Sequence, residues 1–223
     1  MNDRVDGAAT PVVRLSFYAR VVKRVVDATA AAVLLLLLLP VLALVWGAVV
    51  ATLGLPVFYV DCRAGRHGRP IAVVKFRSMS DATDDSGRPL PDAERLGAFG
   101  RFLRRTSLDE LPQLVSVLTG DMSLVGPRPL PVRYVPRYNS RQAMRLEVRP
   151  GLTGLAQVSG RNGLDWPARL ELDARYVEMM TRWYAPAVDV AIVVATVGVV
   201  VWQALSGRGI SGSGAATMKE FEP

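Results

Sequence analysis

The residues best suited to chemistry stand together in Arg104-Arg105-Thr106-Ser107-Leu108-Asp109-Glu110-Leu111-Pro112-Gln113, where two guanidiniums precede two adjacent carboxylates. Pro112 cannot sit deep in a helix, so a helix is expected to begin near Asp109, with Asp109 at the cap and Glu110 in the first turn. Such a start has a plain structural use, because the helix macrodipole favours carboxylates there. It has a chemical use as well. Free backbone N–H groups, two carboxylates and two guanidiniums are what a phosphate and a hard cation require together. A second string, Gly120-Asp121-Met122-Ser123-Leu124-Val125-Gly126-Pro127-Arg128-Pro129, holds Arg128 between two prolines, so little entropy is lost when it meets an anion. Glycine-rich strings at Arg149-Pro150-Gly151-Leu152-Thr153-Gly154-Leu155-Ala156-Gln157 and Gly160-Arg161-Asn162-Gly163 would let backbone approach a ligand.

The elements that must hold these strings follow from hydropathy. No residue between Asp27 and Asp61 is charged, a run of 33 positions that includes Leu34 to Leu39 unbroken. That is far longer than the apolar core of a signal peptide, and long for one straight span. Pro40 falls within it, and basic residues flank both ends: Arg14, Arg20, Lys23 and Arg24 before, Arg63, Arg66, Arg69, Lys75 and Arg77 after. The positive-inside rule therefore places both ends in the cytoplasm, and Ala28 to Leu53 reads as a re-entrant helix-break-helix hinged near Pro40, with an ordinary single span as the alternative. A second run, 18 residues from Val190 to Gly207, is expected to lie on the membrane surface. It follows an amphipathic helix from Trp166 to Tyr184, capped by Asp165, with Pro167 in its first turn and Pro186 as the separator. Phe58 to Met79 reads as a hairpin, Asp81 to Asp92 as a polar loop, and Arg95 to Arg105 as a helix, with another stopping before Gly120. The series Arg133, Arg137, Arg141, Arg145, Arg149 repeats every four residues and reads as a solvated face.

Composition narrows the partners. The chain has 223 residues, 50% of them hydrophobic, with 27 basic and 20 acidic side chains for a net charge of +7. Membrane contact and an anionic partner both fit. Cys62 has no second cysteine to pair with, a Cys/His zinc site lacks ligands, and the lone His67 lies in a turn-forming string as a solvated loop residue.

The chain resembles the monotopic bacterial sugar transferases, or polyprenyl-phosphate phosphoglycosyl transferases. The matching strings are Lys23-Arg24 with Asp27, Lys75-Phe76-Arg77-Ser78-Met79, Leu103 to Leu114, Gly120 to Pro129, and Arg149-Pro150-Gly151-Leu152-Thr153-Gly154. They stand in the family's order between Lys23 and Val197. The resemblance implies transfer of a phospho-sugar from a UDP-sugar to polyprenyl phosphate, releasing UMP through a covalent aspartyl intermediate. It implies Asp109 as nucleophile, Asp109 and Glu110 as the Mg²⁺-holding pair, and Lys75, Arg77, Arg104 and Arg128 as substrate-binding residues. Asp61 stands where the family usually has Gln, Leu155 where it has Trp, and Leu39 where small members often have Ser. Only the compact catalytic unit is expected, without the further N-terminal helices and domain of larger relatives.

The expected architecture is mostly α with a small β-hairpin, in a monotopic protein of the bacterial inner membrane whose catalytic domain faces the cytoplasm. Its expected parts are a basic segment 1–22, a re-entrant helix 23–57, a catalytic domain 58–185, a membrane-associated helix 186–207 and a flexible tail 208–223. The partners are a UDP-sugar, polyprenyl phosphate and membrane lipid, with no nucleic acid and with homo-oligomerisation left open. The competing class is a non-enzymatic basic membrane protein binding anionic lipid or nucleic acid, which gives no reason for Asp-Glu beside Arg and Gly-Pro-Arg-Pro.

Overall fold

The structure, a computed structural model, describes residues 13–160, 163–206 and 220–221. Arg161 and Asn162 lie outside the described residues, as do 1–12 and most of the expected tail. The chain is mostly helical: α1 (Lys23–Leu53), α2 (Asp92–Arg95), α3 (Ala98–Thr106), α4 (Gln113–Thr119), α5 (Ser140–Ala143), α6 (Leu155–Ser159), α7 (Trp166–Met179) and α8 (Ala185–Ser206). Its strands are β1 (Phe58–Ala64), β2 (Pro70–Phe76), β3 (Ser123–Val125) and β4 (Gly151–Thr153).

Thirty-one residues rich in Ala, Leu and Val make α1, which at 1.5 Å per residue is about 45 Å long. The expected interruption at Pro40 is absent as a break, because the residues on both sides stay helical and Pro40 lies inside α1. Its ring costs one backbone hydrogen bond in a helix otherwise made of strong formers, and the long flanking turns carry it. Gly54, with φ of 72°, ends α1. Both ends of the helix pack on the same body. Ala31 is buried with Leu114 and Val117 of α4, and Val45 and Val49 with Phe76 and Leu103. The opposite side leaves Leu36, Leu37, Leu39, Leu44 and Trp46 exposed. Both α1 and α8 are long and apolar enough to cross a membrane.

The acids that bound the two uncharged runs are tied together. Lys23 Nζ donates to Asp189 Oδ2 at 2.7 Å, and the hydroxyls of Tyr18 and Tyr176 each donate to Asp189 at 2.8 Å. Ser123 Oγ donates to Asp27 Oδ2 at 2.6 Å. The N–H of Ser16 also donates to the Met180 carbonyl, which ties the chain just before α1 to the body.

The hairpin is found where expected, β1 and β2 pairing antiparallel from Phe58↔Phe76 to Ala64↔Pro70, with His67 exposed in its turn. Asp165 caps α7 by accepting from the Ala168 N–H at 2.8 Å. That helix stops at Met179, short of Tyr184, and Pro186 does not separate α7 from α8 but lies in the first turn of α8, where a missing N–H costs nothing.

Three expectations are corrected. First, the glycine-rich string 149–157 is packed against the string 120–129: β3 and β4 form a parallel pair, Ser123↔Gly151 and Val125↔Thr153. A Cβ added to Gly151 would stand 2.1 Å from the Gly126 nitrogen, so glycine there serves backbone packing. Second, the Arg series is not one solvated face. Pro136 and two 3-10 segments send its members different ways, Arg145 inward to Asp173, Arg141 to Glu171 and Glu178, and Arg133 and Arg137 to Glu220. Third, the tail is not free at residues 220–221, because Phe221 is buried among Tyr134, Tyr138 and Trp166, where aromatic burial outweighs the entropy of ordering it.

Candidate active site

The site is built where the chain reverses after α3. Ser107 takes up a left-handed conformation, φ 58°, and closes α3. A single 3-10 turn, Leu108–Glu110, follows, and Pro112 rather than Asp109 stands at the N-cap of α4. The cap role expected of Asp109 is therefore corrected. The left-handed Ser107 turns the chain one step early, so that Asp109 points into the body with only 7% of its surface exposed.

Close contact sets the angle of α3. Gly100 lies against the carbonyl of Ser78, and an added Cβ would come within 1.8 Å of that oxygen. One helical turn on, Arg104 Nε donates to Ser78 Oγ at 3.0 Å. Gly100→Ala is thus expected to push α3 off Ser78, at a cost of roughly 1–3 kcal/mol from overpacking. Urea unfolding would show a lowered midpoint, and an unchanged midpoint would mean that the contact is soft.

Two elements converge on Glu110. Lys75 Nζ, from β2, donates to its Oε1 at 2.6 Å, and a guanidinium nitrogen of Arg128, from the turn after β3, donates to the same oxygen at 2.7 Å. Burial alone would raise the Glu110 pKa, but the charges and hydrogen bonds of Arg128 and Lys75 outweigh it and hold it well below the usual carboxylate range. In return Glu110 raises the pKa of Arg128. Asp109 is treated oppositely. Burial and the Glu110 charge push its carboxyl up to about 6, against the pull of Lys75, Arg104 and Arg128. Among the described residues, its carboxylate makes no hydrogen bond or ion pair. The pair is thus one anchored carboxylate beside one unspent carboxylate, surrounded by cations.

Of the residues singled out in the sequence, Asp109, Glu110, Lys75, Arg104 and Arg128 come together. Arg77 does not. Its guanidinium donates to the carbonyls of Leu53 and of Gly54 (2.8 Å), and to Asp81 (2.7 Å), so it closes the C-terminal end of α1. One residue was missed. Arg145, 4% exposed, bonds Asp173 at 2.9 Å and the Tyr138 hydroxyl at 2.9 Å, and donates to the backbone carbonyl of Arg128 at 2.5 Å. No local signal distinguished it from the other members of the Arg series.

The profile of a family described as bacterial sugar transferase matches residues 18–203. Among relatives, an uncharacterized sugar transferase, EpsL, of Bacillus subtilis is 48% identical over 158 residues, covering 71% of this chain and 78% of its own. An undecaprenyl-phosphate galactose phosphotransferase of Salmonella typhimurium is 39% identical over 199 residues, and a UDP-glucose:undecaprenyl-phosphate glucose-1-phosphate transferase of Escherichia coli is 39% identical over 193. In both of these the match covers 82% of this chain and 41% of the relative's length.

Proposed function

The chain belongs to the bacterial sugar transferase family, and we propose that it transfers a sugar phosphate from a UDP-sugar to polyprenyl phosphate, yielding polyprenyl-diphosphate-sugar and UMP. The observation that carries this reading is the contrast within the carboxylate pair, Asp109 unengaged and Glu110 held by Lys75 and Arg128. In the first step an Asp109 oxygen attacks the phosphorus that bears the sugar, and the bond to the bridging oxygen breaks as UMP leaves with its electron pair. In the second, an oxygen of polyprenyl phosphate attacks that phosphorus, the acyl-phosphate bond breaks, and the Asp109 carboxylate is restored. Direct attack of one phosphate on another would bring two anions together, whereas a carboxylate nucleophile splits the work between two steps that share one set of cations. Arg104 and Arg128 would bear on the charged phosphates, and Lys75 would hold Glu110 in place.

The residues fit Mg²⁺. The Asp109 carboxylate and the second oxygen of Glu110 are hard donors, and Mg²⁺ is commonly held by one or two carboxylates with substrate phosphates completing its shell. When bound there, it would neutralise phosphate charge. Activity is expected to require Mg²⁺ or Mn²⁺ and to vanish in EDTA; full turnover in chelator would remove Glu110 from this role.

The membrane supplies the acceptor. We place the body on the cytoplasmic side of the inner membrane, with α1, unbroken but bent at Pro40, as a re-entrant element whose exposed leucine face meets lipid and α8 along the surface. Support comes from the two ends of α1 resting on one body. Cys62, exposed on β1 after the apolar run, already provides one reporter, and Arg20→Cys provides one before it. Both should react only from the cytoplasmic side; periplasmic labelling of either would sink the re-entrant placement while leaving the chemistry standing.

The direct test incubates purified protein in detergent with UDP-sugars, Mg²⁺ and polyprenyl phosphate and scores UMP. No UMP with any donor would return the protein to the class of basic membrane-anchored binders.

A further inference from the structure

Three guanidiniums gather around the far end of α4, none of them in an ion pair among the described residues. Arg24, in the first turn of α1, donates to the carbonyls of Val117 (2.8 Å) and Leu118 (2.6 Å). Arg149 donates through Nε to the Gly120 carbonyl at 2.8 Å, and Arg66, in the hairpin turn, donates to the Glu147 carbonyl at 3.0 Å. Gly120 is the hub. A Cβ added there would stand 3.2 Å from Cζ of Arg24, so Arg24 and Arg149 both bear on the same glycine.

The bonds of Arg24 and Arg149 satisfy carbonyls at the end of α4, and that of Arg66 satisfies one at the end of the 3-10 turn Met144–Glu147, but they neutralise no charge. Among the described residues none of the three guanidiniums has a carboxylate within 4.0 Å. The nearby acids are engaged or out of reach. Asp27 accepts from Ser123 and from the Leu124 N–H, Asp121 accepts from Thr119, and Glu147 forms no ion pair. Burial and the repulsion of Arg66 and Arg24 lower the pKa of Arg149, and the charge of Asp27 offsets only part of that. Apolar side chains stand beside the cluster: Leu118, whose carbonyl holds Arg24, is exposed, and so are Val21, three residues before Arg24, and Val25, the residue after it. Arg24 also stands one turn before the uncharged run of α1.

We propose that Arg24, Arg66 and Arg149 form a second anion site, distinct from the Asp109–Glu110 pair, that takes a phosphate group. A phospholipid headgroup is the source that the rim favours, with acyl chains against Val21, Val25 and Leu118. Planar guanidiniums with N–H groups left over from these carbonyl bonds suit phosphate oxygens better than ammonium groups do. The catalytic pair lies before α4 and this cluster lies at its end, so a headgroup here does not occupy the reaction site. The lipid source rests on the membrane placement of α1 and not on the reaction.

The test reads binding without turnover. Purified full-length protein in a neutral detergent is titrated with short-chain phosphatidylglycerol, phosphatidylcholine or inorganic phosphate while Tm is followed, since a ligand of the folded state raises Tm with its concentration. Phosphatidylglycerol is expected to raise Tm more than phosphatidylcholine. Arg66→Gln, which gives up a single carbonyl contact, should weaken the apparent affinity about fivefold, and Arg66→Gln with Arg149→Gln about 25-fold. Arg66→Lys should restore part of the loss, while Asp109→Asn should leave the lipid response as it was. A response to inorganic phosphate equal to that for phosphatidylglycerol, and lost in the same variants, would support the anion site with free phosphate as its source. Identical titrations for the parent and Arg66→Gln, or no response to any of the anions, would overturn it.

Discussion

Asp109→Asn is expected to abolish turnover and, in the metal-free protein, to raise Tm. The change is isosteric and leaves the fold nothing to lose, because the Asp109 carboxylate makes no hydrogen bond or ion pair among the described residues and Pro112 holds the cap position. The sign of the stability effect follows from the raised carboxyl, which moves from 3.8 to about 6 on folding. Folding favours the protonated form, so the penalty is absent below about pH 4, grows between the two values and is complete above 6. It amounts to about 3 kcal/mol at pH 8, as an order of magnitude. Asn removes it. In EDTA the variant should therefore melt higher than the parent at pH 8 and level with it at pH 4. Donor alone should release UMP from the parent and leave a phospho-sugar on Asp109, while the variant shows neither. An active variant, or an adduct on another side chain, would move the nucleophile elsewhere.

How much of this was legible in the sequence depends on how far each signal reaches. The hairpin and the Asp165 cap rest on contacts within a few residues, so alternating β-formers and a short polar side chain before Pro167 were enough to find them. Strands of three residues are too short to show a period, so β3 and β4 read as loops until Gly126 and Gly151 were seen back to back. The cap at Asp109 misread because Ser107, which is not glycine, adopts a positive φ that its residue type does not announce. The convergence of Lys75 and Arg128 on Glu110 joins positions 35 and 18 residues away, which no local pattern encodes. Only the order of the motifs, matched to a family, pointed to it. Arg77 shows the limit of that route, since it belongs to a matching string yet closes the end of α1.

Arg145→Met is expected to unfold the protein more readily than any surface change. Its side chain and that of Asp173 are 3% and 2% exposed, and they bond at 2.9 Å. Removing one member leaves the other charged, buried and unpaired, which costs about 3–5 kcal/mol, or a Tm lower by roughly 10 °C in a chain of this size. Stability and positioning can then be separated. Arg145→Met with Asp173→Leu removes both charges and fills the space with apolar atoms, so most of the Tm should return. Activity should not return with it. The Arg145 guanidinium is also the donor to the Arg128 carbonyl and the Tyr138 hydroxyl, and no apolar pair replaces those bonds. Arg128 would keep its partner Glu110 but lose the support that fixes its backbone between two prolines. The double variant should therefore fold and show a raised KM for the nucleotide sugar, with kcat less affected, because the loss falls on donor positioning and not on the nucleophile. A double variant with parental KM and recovered Tm would mean that Arg145 acts on stability alone, and that the turn carrying Arg128 is held by its prolines.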